Sequence, residues 1–256
     1  MSRVLSAVPS TPVAVPDRVR ALAGGDDVVP VWRNELGGLT FRLSTPGRPA
    51  SVGLAEDDRY VKWVPAGVDG LDLDAEAERL AWAGRWTPVP RVLDRGQDAE
   101  ARWLLTAGIP GRSAVDPRWL ARPETAARAI GAGLRALHDT LPVDDCPFTW
   151  GVADRVGRLS PAARAQVGDV PDVDRLVVCH GDPCAPNTLL DDGGRWTAHV
   201  DLDALGVADR WADLAVASYS LEWNYGDGYE PAFFDAYGIA PDPRRITFYR
   251  RLWDLG

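Results

Sequence analysis

The fold is decided by the stretch Val177-Val-Cys-His-Gly-Asp-Pro-Cys-Ala-Pro-Asn-Thr-Leu-Leu-Asp191, taken together with Ala198-His-Val-Asp-Leu-Asp203. The apolar run Leu176–Cys179 predicts a short buried strand that leads into a loop. Residues 188–190 predict a second strand, an Asp-Asp-Gly-Gly turn follows, and residues 196–200 predict a third strand. We therefore expect a hairpin that brings the polar residues at its ends together.

The polar residues at these strand ends are Asp182, Asn187 and Asp201. Such a trio suits phosphoryl transfer, in which one carboxylate orients the attacking hydroxyl or accepts its proton. The amide oxygen and the second carboxylate are ligands for the Mg²⁺ that bridges the nucleotide phosphates. The spacing Asp-x-x-x-x-Asn is that of the protein-kinase catalytic loop, with His-Gly-Asp in place of His-Arg-Asp. The alternative is a polar hairpin whose Asp and Asn only form turns, but the flanking strands favour the catalytic interpretation.

The motifs His-Gly-Asp-Pro-Cys-x-Pro-Asn, Val-Asp-Leu-Asp and Gly206-Val-Ala-Asp-Arg-Trp-Ala-Asp-Leu-Ala215 resemble those of the aminoglycoside phosphotransferase family. The chain is most similar to the 3'- and 3''-phosphotransferases of kanamycin-type and streptomycin-type antibiotics, over nearly its whole length. The resemblance implies an α+β, protein-kinase-like fold with two lobes. Residues 1–107 would form an N-terminal nucleotide-binding lobe with an antiparallel sheet, and residues 108–256 a larger, mainly helical catalytic and substrate-binding lobe. It also implies ATP and Mg²⁺ as cofactors, an aminoglycoside hydroxyl as acceptor, and antibiotic resistance as the outcome.

The expected N-terminal lobe contains a glycine loop between two predicted strands, residues 28–32 and 39–43. In kinase folds this loop covers the nucleotide phosphates, so the amides of Gly37 and Gly38 are candidate phosphate ligands. Leu36 stands where the family usually has a serine, which leaves the contact to the amides. An ordinary Gly-Gly turn is the alternative.

A lysine at the centre of the next predicted strand, residues 59–64, is usually a solvated side chain. Lys62, however, falls where a kinase lysine reaches the phosphates and pairs with a helix glutamate. The helix predicted over residues 71–85 carries two candidates for that partner. The family pattern implies Glu76, with Glu78 as the second choice and an exposed acid as the alternative for either.

Three further positions take roles from the resemblance. The backbone between Thr106 and Ile109 resembles the hinge that meets the adenine edge. His180 would support the catalytic loop, and Asp213 would fix that loop through backbone hydrogen bonds. His138 is interpreted as a core histidine.

The substrate residues are the least defined part of the prediction. The segment of residues 150–174, which folds over the sugar in the family, is short here. The chain has Asp203 where the family commonly has glycine, and this carboxylate would serve either Mg²⁺ or a cationic substrate. Asp254 and the terminal carboxylate are candidate ligands for a substrate amine, and the alternative is that they belong to a solvated tail. The carboxylates expected to bind the amines of the substrate are Asp203, Glu222, Asp227, Glu230 and Asp254.

Two rival functions stay open. A kinase of the same fold could act on choline, a macrolide or a peptide antibiotic, with the aromatic residues as a cage for a quaternary ammonium. The second rival is a pseudokinase that binds nucleotide without turnover. The sequence retains the candidate metal ligands and the lysine that such a protein often lacks. The aromatic residues concerned are Trp211, Tyr219, Trp223, Tyr225 and Tyr229.

Composition limits the remaining possibilities. The chain has 256 residues and a net charge of -9, which argues against a nucleic-acid partner and suits a cationic ligand. Its three cysteines show no metal-ligand spacing, and we expect reduced thiols. We find neither a signal peptide nor an apolar run of membrane-spanning length. The expectation is a cytoplasmic enzyme, a monomer or weak dimer, with no membrane partner.

Overall fold

The computed structural model describes residues 8–47 and 57–256. The chain divides into two compact units, Met1–Gly84 with Pro90–Pro110, and Arg85–Val89 with Gly111–Gly256. The short segment Arg85–Val89 groups with the second unit, where the Pro88 carbonyl accepts a hydrogen bond from the His199 amide at 3.3 Å.

The first unit is built on an antiparallel five-stranded sheet in the order β1-β2-β3-β5-β4. Alternate residues of its strands, such as Phe41 and Leu43, point to one face and pack with Val19 of the first helix in a buried core. The elements are α1 (Asp17–Ala23), β1 (Asp27–Arg33), β2 (Leu39–Ser44), β3 (Arg59–Pro65), α2 (Leu73–Ala83), β4 (Val92–Gln97) and β5 (Ala101–Ala107).

The second unit is mainly helical, with a three-stranded sheet in the order β6-β8-β9 and a two-stranded sheet of β7 and β10. A 3-10 turn, Ala185–Asn187, lies between β7 and β8. The elements are β6 (Arg112–Ser113), α3 (Pro117–Leu120), α4 (Pro123–Thr140), α5 (Val152–Arg158), α6 (Pro161–Arg164), β7 (Leu176–Cys179), β8 (Thr188–Leu190), β9 (Trp196–His199), β10 (Gly206–Asp209), α7 (Trp211–Tyr225), α8 (Glu230–Tyr237) and α9 (Pro243–Leu255).

The sequence predicts a helix over residues 209–225, but this helix begins two residues later, at Trp211. Gly206–Asp209 forms strand β10, which pairs antiparallel with β7. Asp209 ends this strand, and its carboxylate accepts a hydrogen bond from the Trp211 amide at 3.1 Å at the start of α7. A side-chain acceptor at this position satisfies a helix amide that has no intrahelical partner.

Among the helices of residues 8–47 and 57–256, none combines the length and the apolar character needed to cross a membrane.

Candidate active site

The loop between β7 and β8, residues 180–187, is here called the catalytic loop. Its conformation depends on Gly181, which has φ +86°, and a Cβ at this position would lie 2.1 Å from the Ala204 carbonyl oxygen. Only glycine fits such a close backbone approach with positive φ. At the end of the loop, Asn187 Nδ2 donates to the Asp182 carbonyl at 3.0 Å and to Asp182 Oδ2 at 3.3 Å. The first two residues of the predicted trio are therefore in contact.

The third residue of the trio, Asp201, follows β9. Its φ is +64°, and it is the one non-glycine residue with positive φ in the part of the chain that the structure describes. Aspartate tolerates this left-handed conformation better than most residues, but it is still an uncommon one. Strained backbone that persists in a fold is concentrated at functional sites.

The carboxyl group of Asp182 has an unusual environment. Burial and the neighbouring Asp201 carboxylate raise its pKa to about 7, against an ordinary value of 3.8. Its Oδ1 atom is buried and has no nitrogen or oxygen donor among the described residues, while the Cys184 thiol interacts with this carboxylate and opposes the rise in its pKa. An acid with this pKa and a buried acceptor atom can receive a proton near neutral pH.

His180 links the two carboxylate-bearing segments. The Asp182 amide donates to His180 Nδ1 at 3.3 Å, so this nitrogen is the acceptor, and His180 Nε2 then donates to the Val200 carbonyl at 3.1 Å. Burial lowers the pKa of His180, which favours the neutral ring that this arrangement requires. The ring therefore fixes the backbone next to Asp182 and next to Asp201.

Helix α7 holds the start of the catalytic loop through Asp213. Its carboxylate accepts hydrogen bonds from the His180 amide at 2.6 Å and the Gly181 amide at 3.0 Å. His138 Nε2 lies 2.9 Å from the same carboxylate, and His138 Nδ1 lies 2.9 Å from the Tyr237 hydroxyl. His138 is buried, as interpreted from the sequence, and its role is to contact Asp213.

In the first unit, Lys62 pairs with Glu76 and not with Glu78. Lys62 lies in β3, and its Nζ donates to Glu76 Oε1 at 2.7 Å and to Oε2 at 2.8 Å. Glu76 is buried in the first turn of α2, a helix whose start is stabilised by Asp72 accepting from the Ala75 amide at 2.9 Å. The Lys62 side chain in this pair is 26% exposed.

The glycine loop of the same unit is closed on itself. The Gly37 amide donates to the Asn34 carbonyl at 3.2 Å, and the Gly38 amide donates to Asn34 Oδ1 at 2.7 Å. In this conformation neither amide is available to an anion, contrary to the expectation from the sequence. The cause is Asn34, whose short polar side chain competes for backbone amides in turns.

The segment expected at the adenine edge ends the first unit. Thr106 is paired with Tyr60 and Val92 within the sheet, and Ile109 is half-buried just beyond β5.

Comparison with known proteins gives this arrangement its context. Residues 40–249 match the model of a phosphotransferase enzyme family. The chain belongs to this family. It is 36% identical to an aminoglycoside 3'-phosphotransferase of Streptomyces fradiae, covering 87% of this chain and 92% of the relative. It is 34% identical to a streptomycin 3''-kinase of Streptomyces griseus, covering 89% and 92%.

A solved structure of similar fold is an aminoglycoside phosphotransferase from Streptomyces rimosus in complex with ADP and streptomycin. It is 30% identical, with a TM-score of 0.65, and the match covers 93% of this chain and 95% of that one. The kinase-like α+β fold and the phosphotransferase class expected from the motifs are confirmed.

Two carboxylates expected to bind substrate in this phosphotransferase already have a cationic partner. Arg250 of α9 donates through Nη1 to Glu222 Oε1 at 3.0 Å and through Nη2 to Glu230. These ion pairs weigh against the expectation that the two acids bind the amines of a substrate. Arg250 offsets one of their two negative charges and ties α7, α8 and α9 together.

The other three acids differ in exposure. Asp203 is half-buried and raises the pKa of Asp182, so it lies within electrostatic range of the catalytic loop. Asp227, in a glycine-flanked turn after α7, and Asp254, near the end of α9, are exposed.

A cation near the catalytic loop of the phosphotransferase was not predicted. The Arg155 guanidinium lies 4.4 Å from the ring centroid of Trp150, whose Nε1 donates to the Gly181 carbonyl at 3.2 Å. Burial and the nearby Arg158 lower the pKa of Arg155, while Asp182 and Asp203 oppose this shift. No sequence pattern singles out Arg155, because it lies in a short polar helix without a fully buried residue.

The aromatic residues considered as an ammonium cage do not form one cluster. Trp211 is buried against Phe234, with ring centroids 6.1 Å apart. The Tyr219 and Trp223 rings contact each other at a tilt of 51°, with centroids 4.3 Å apart, and Arg250 lies 4.8 Å from the Tyr219 ring. The geometry gives no support to a quaternary ammonium site formed by this set.

Proposed function

We propose that this phosphotransferase transfers the γ-phosphoryl group of ATP to a 3' or 3'' hydroxyl of an aminoglycoside antibiotic, and so confers resistance in the cytoplasm. Its similarity to a 3'-phosphotransferase, to a streptomycin 3''-kinase and to a structure holding ADP and streptomycin supports this acceptor class. The observation that carries the proposal is the buried Asp182 carboxyl group with its raised pKa, in contact with Asn187 and beside Asp201.

Asp182 is the proposed base or orienting group. Its buried Oδ1 is the acceptor for the substrate hydroxyl proton, while its Oδ2 is held by Asn187. A hydroxyl fixed in this way points its oxygen at the phosphoryl group, and such positioning supplies most of the rate enhancement in phosphoryl transfer.

Asn187 and Asp201 are the proposed ligands of Mg²⁺. The Asn187 amide nitrogen is used by Asp182, which leaves the amide oxygen as the ligand atom. Carboxylate and amide oxygens suit this hard cation, and the mutual repulsion of Asp182, Asp201 and Asp203 favours a cation among them. When bound, Mg²⁺ neutralises the negative charge of the phosphates.

Lys62 is the proposed phosphate ligand of the first unit. Glu76 holds its amine through two hydrogen bonds, and the Lys62 side chain is partly exposed. The backbone from Thr106 to Ile109 is the proposed contact for the adenine edge. The amides of Gly37 and Gly38 could join only if Asn34 released them, because both donate to it.

Asp203 is the proposed ligand for a substrate amine, because it lies near Asp182 and is only half-buried. Asp227 and Asp254 stay as secondary proposals, since both are exposed. A cationic substrate bound beside these carboxylates would relieve part of their repulsion.

The test measures ADP release with ATP and Mg²⁺ against kanamycin, neomycin, streptomycin, viomycin, erythromycin and choline. Turnover with an aminoglycoside, and a phosphate located on its 3' or 3'' oxygen by NMR, is the expected result. Turnover only with another alcohol would refute the acceptor, and ATP binding without turnover on any acceptor would refute the enzymatic proposal.

A further inference from the structure

Helix α7 contacts the catalytic loop at a second point besides Asp213. Residues 213, 220 and 224 are spaced seven and four apart, so Asp213, Ser220 and Asn224 share one face of the helix. Asp213 and Ser220 are both fully buried. This face is directed at the loop along two turns of the helix.

The two contact points lie on opposite sides of Asp182. Asp213 accepts from the amides of His180 and Gly181, before the base. Ser220 Oγ accepts from the Ala185 amide at 2.9 Å, after it. Ala185 begins the 3-10 turn that ends at Asn187, so this second contact fixes the turn that presents the amide of Asn187.

Asn224 sets the direction of the Ser220 hydroxyl. Its Nδ2 donates to the Ser220 carbonyl at 2.8 Å and to Ser220 Oγ at 3.1 Å. Because Asn224 and Ala185 both donate to Oγ, the oxygen acts as an acceptor towards the loop. An amide side chain one turn away therefore holds the serine in its loop-binding orientation.

Ser218, two residues earlier on the same helix, shows the ordinary alternative. It is also fully buried, but its hydroxyl donates to the Ala215 carbonyl within the helix at 3.0 Å and accepts from Arg250 Nη2 of α9 at 3.0 Å, so it does not contact the catalytic loop. Bonding back to the preceding turn is common for a serine inside a helix. Ser220 departs from this pattern because its oxygen serves the catalytic loop.

We infer that Ser220, oriented by Asn224, is a positioning residue that holds the Ala185–Asn187 turn and thereby sets Asn187 against Asp182. The inference rests on the proposed roles of Asp182 and Asn187. Neither Ser220 nor Asn224 reaches a reacting atom in this account. Their effect passes through the Ala185 amide and through Cys184, whose thiol interacts with both Ser220 and Asp182.

The test compares Ser220→Ala with Ser218→Ala, a matched control that removes the same atom from an equally buried site. Ser220→Ala should lower kcat about five- to tenfold, the value of about one hydrogen bond, with KM for ATP within twofold. Amide hydrogen exchange at Ala185 should accelerate about tenfold, while exchange at His180 and Gly181 stays slow. Ser218→Ala should change the melting temperature but neither kcat nor the exchange at Ala185.

Asn224→Asp provides a second variant that keeps the shape of the side chain. The new carboxylate cannot donate to Ser220 Oγ, so we expect the same changes at smaller amplitude. Wild-type exchange at Ala185 together with wild-type kcat in Ser220→Ala would overturn the inference. An equal loss of kcat in Ser218→Ala, with an equal fall in melting temperature, would also overturn it. Absence of turnover in the wild type would instead refute the proposed function. The hydrogen-exchange measurement at Ala185 does not require turnover and would still test the contact with Ser220.

Discussion

Asp182 and Glu222 are both acids of the second unit, and the sequence predicts a functional role for each, but they differ in their neighbours. Burial and Asp201 raise the pKa of Asp182 to about 7. Glu222 instead accepts a hydrogen bond from Arg250 at 3.0 Å, as does its neighbour Glu230. The difference shows that burial beside another carboxylate gives Asp182 an altered pKa suited to proton transfer, whereas a hydrogen-bonded arginine gives Glu222 a structural role.

The largest expected effect is the loss of turnover when Asp182 is replaced. Asp182→Ala should lower kcat about a thousandfold or more, because it removes the group that orients the hydroxyl or takes its proton. ATP binding, measured by calorimetry, should change by less than about threefold, since the base is not a proposed nucleotide ligand.

Asp192→Ala is the control, because Asp192 lies in the turn of the same hairpin with its side chain 81% exposed. It should retain wild-type turnover. If the Asp182→Ala variant kept more than a few per cent of the wild-type kcat, Asp182 would not be the base or orienting group.

The next effect is on stability, at the buried carboxylate that α7 offers to the catalytic loop. Asp213→Asn should lower the free energy of unfolding by about 3 kcal/mol, because an amide NH₂ would face one of the donors now bound by the carboxylate. Urea denaturation measures it. A loss below about 1 kcal/mol would mean that these hydrogen bonds contribute little.

A smaller effect on stability is expected where Arg250 pairs with Glu222 and Glu230. Arg250→Met should lower the free energy of unfolding by about 2 kcal/mol, since two half-buried glutamates lose a charged partner. KM for the aminoglycoside should stay within twofold. A tenfold fall in KM would contradict the structural interpretation, because it would show that Arg250 masks a functional amine site.

The smallest effect is expected from Glu222→Gln, which removes one charge of a partly exposed pair. Thermal unfolding should show a loss below about 1 kcal/mol, and KM should be unchanged. Asp203→Asn, the matched change at the other cluster, should raise KM for the aminoglycoside severalfold. An equal change of KM in Glu222→Gln and Asp203→Asn would contradict the assignment of a structural role to Glu222 and a substrate-binding role to Asp203.

Much of the fold could be predicted because it depends on local patterns. The strands Leu176–Cys179 and Thr188–Leu190 have the predicted limits, since apolar runs and turn residues mark their ends. Strand β10 was missed because its four residues precede a helix without a turn signal, and its partner β7 lies far along the chain.

The site was predictable only where a motif describes it. The contact of Asp182 with Asn187 follows from a five-residue spacing, and Lys62 and Glu76 follow from the kinase-like pattern. The pairing of Glu222 with Arg250 spans 28 residues and two helices, so no local pattern indicates it. For the same reason the contact of Ser220 with Ala185, which joins α7 to a loop 35 residues earlier, has no sequence signature.

The most direct test of the account measures activity and stability together in Asp182→Asn, without added metal for the unfolding experiment. Because the pKa of Asp182 is raised on folding, the folded state holds its proton more tightly than the unfolded state. The ionised carboxylate therefore costs stability, from zero below about pH 4 to its full value above about pH 7. The rise in pKa corresponds to a few kcal/mol, of which relaxation of the fold around the ionised carboxylate leaves about 2 kcal/mol.

We predict that Asp182→Asn loses turnover by about a thousandfold and gains about 2 kcal/mol of unfolding free energy at pH 8, a gain that disappears at pH 4. Opposite signs for activity and stability would show that the fold keeps this carboxylate for its chemistry. A variant that keeps its turnover, or that loses stability at pH 8, would contradict the account.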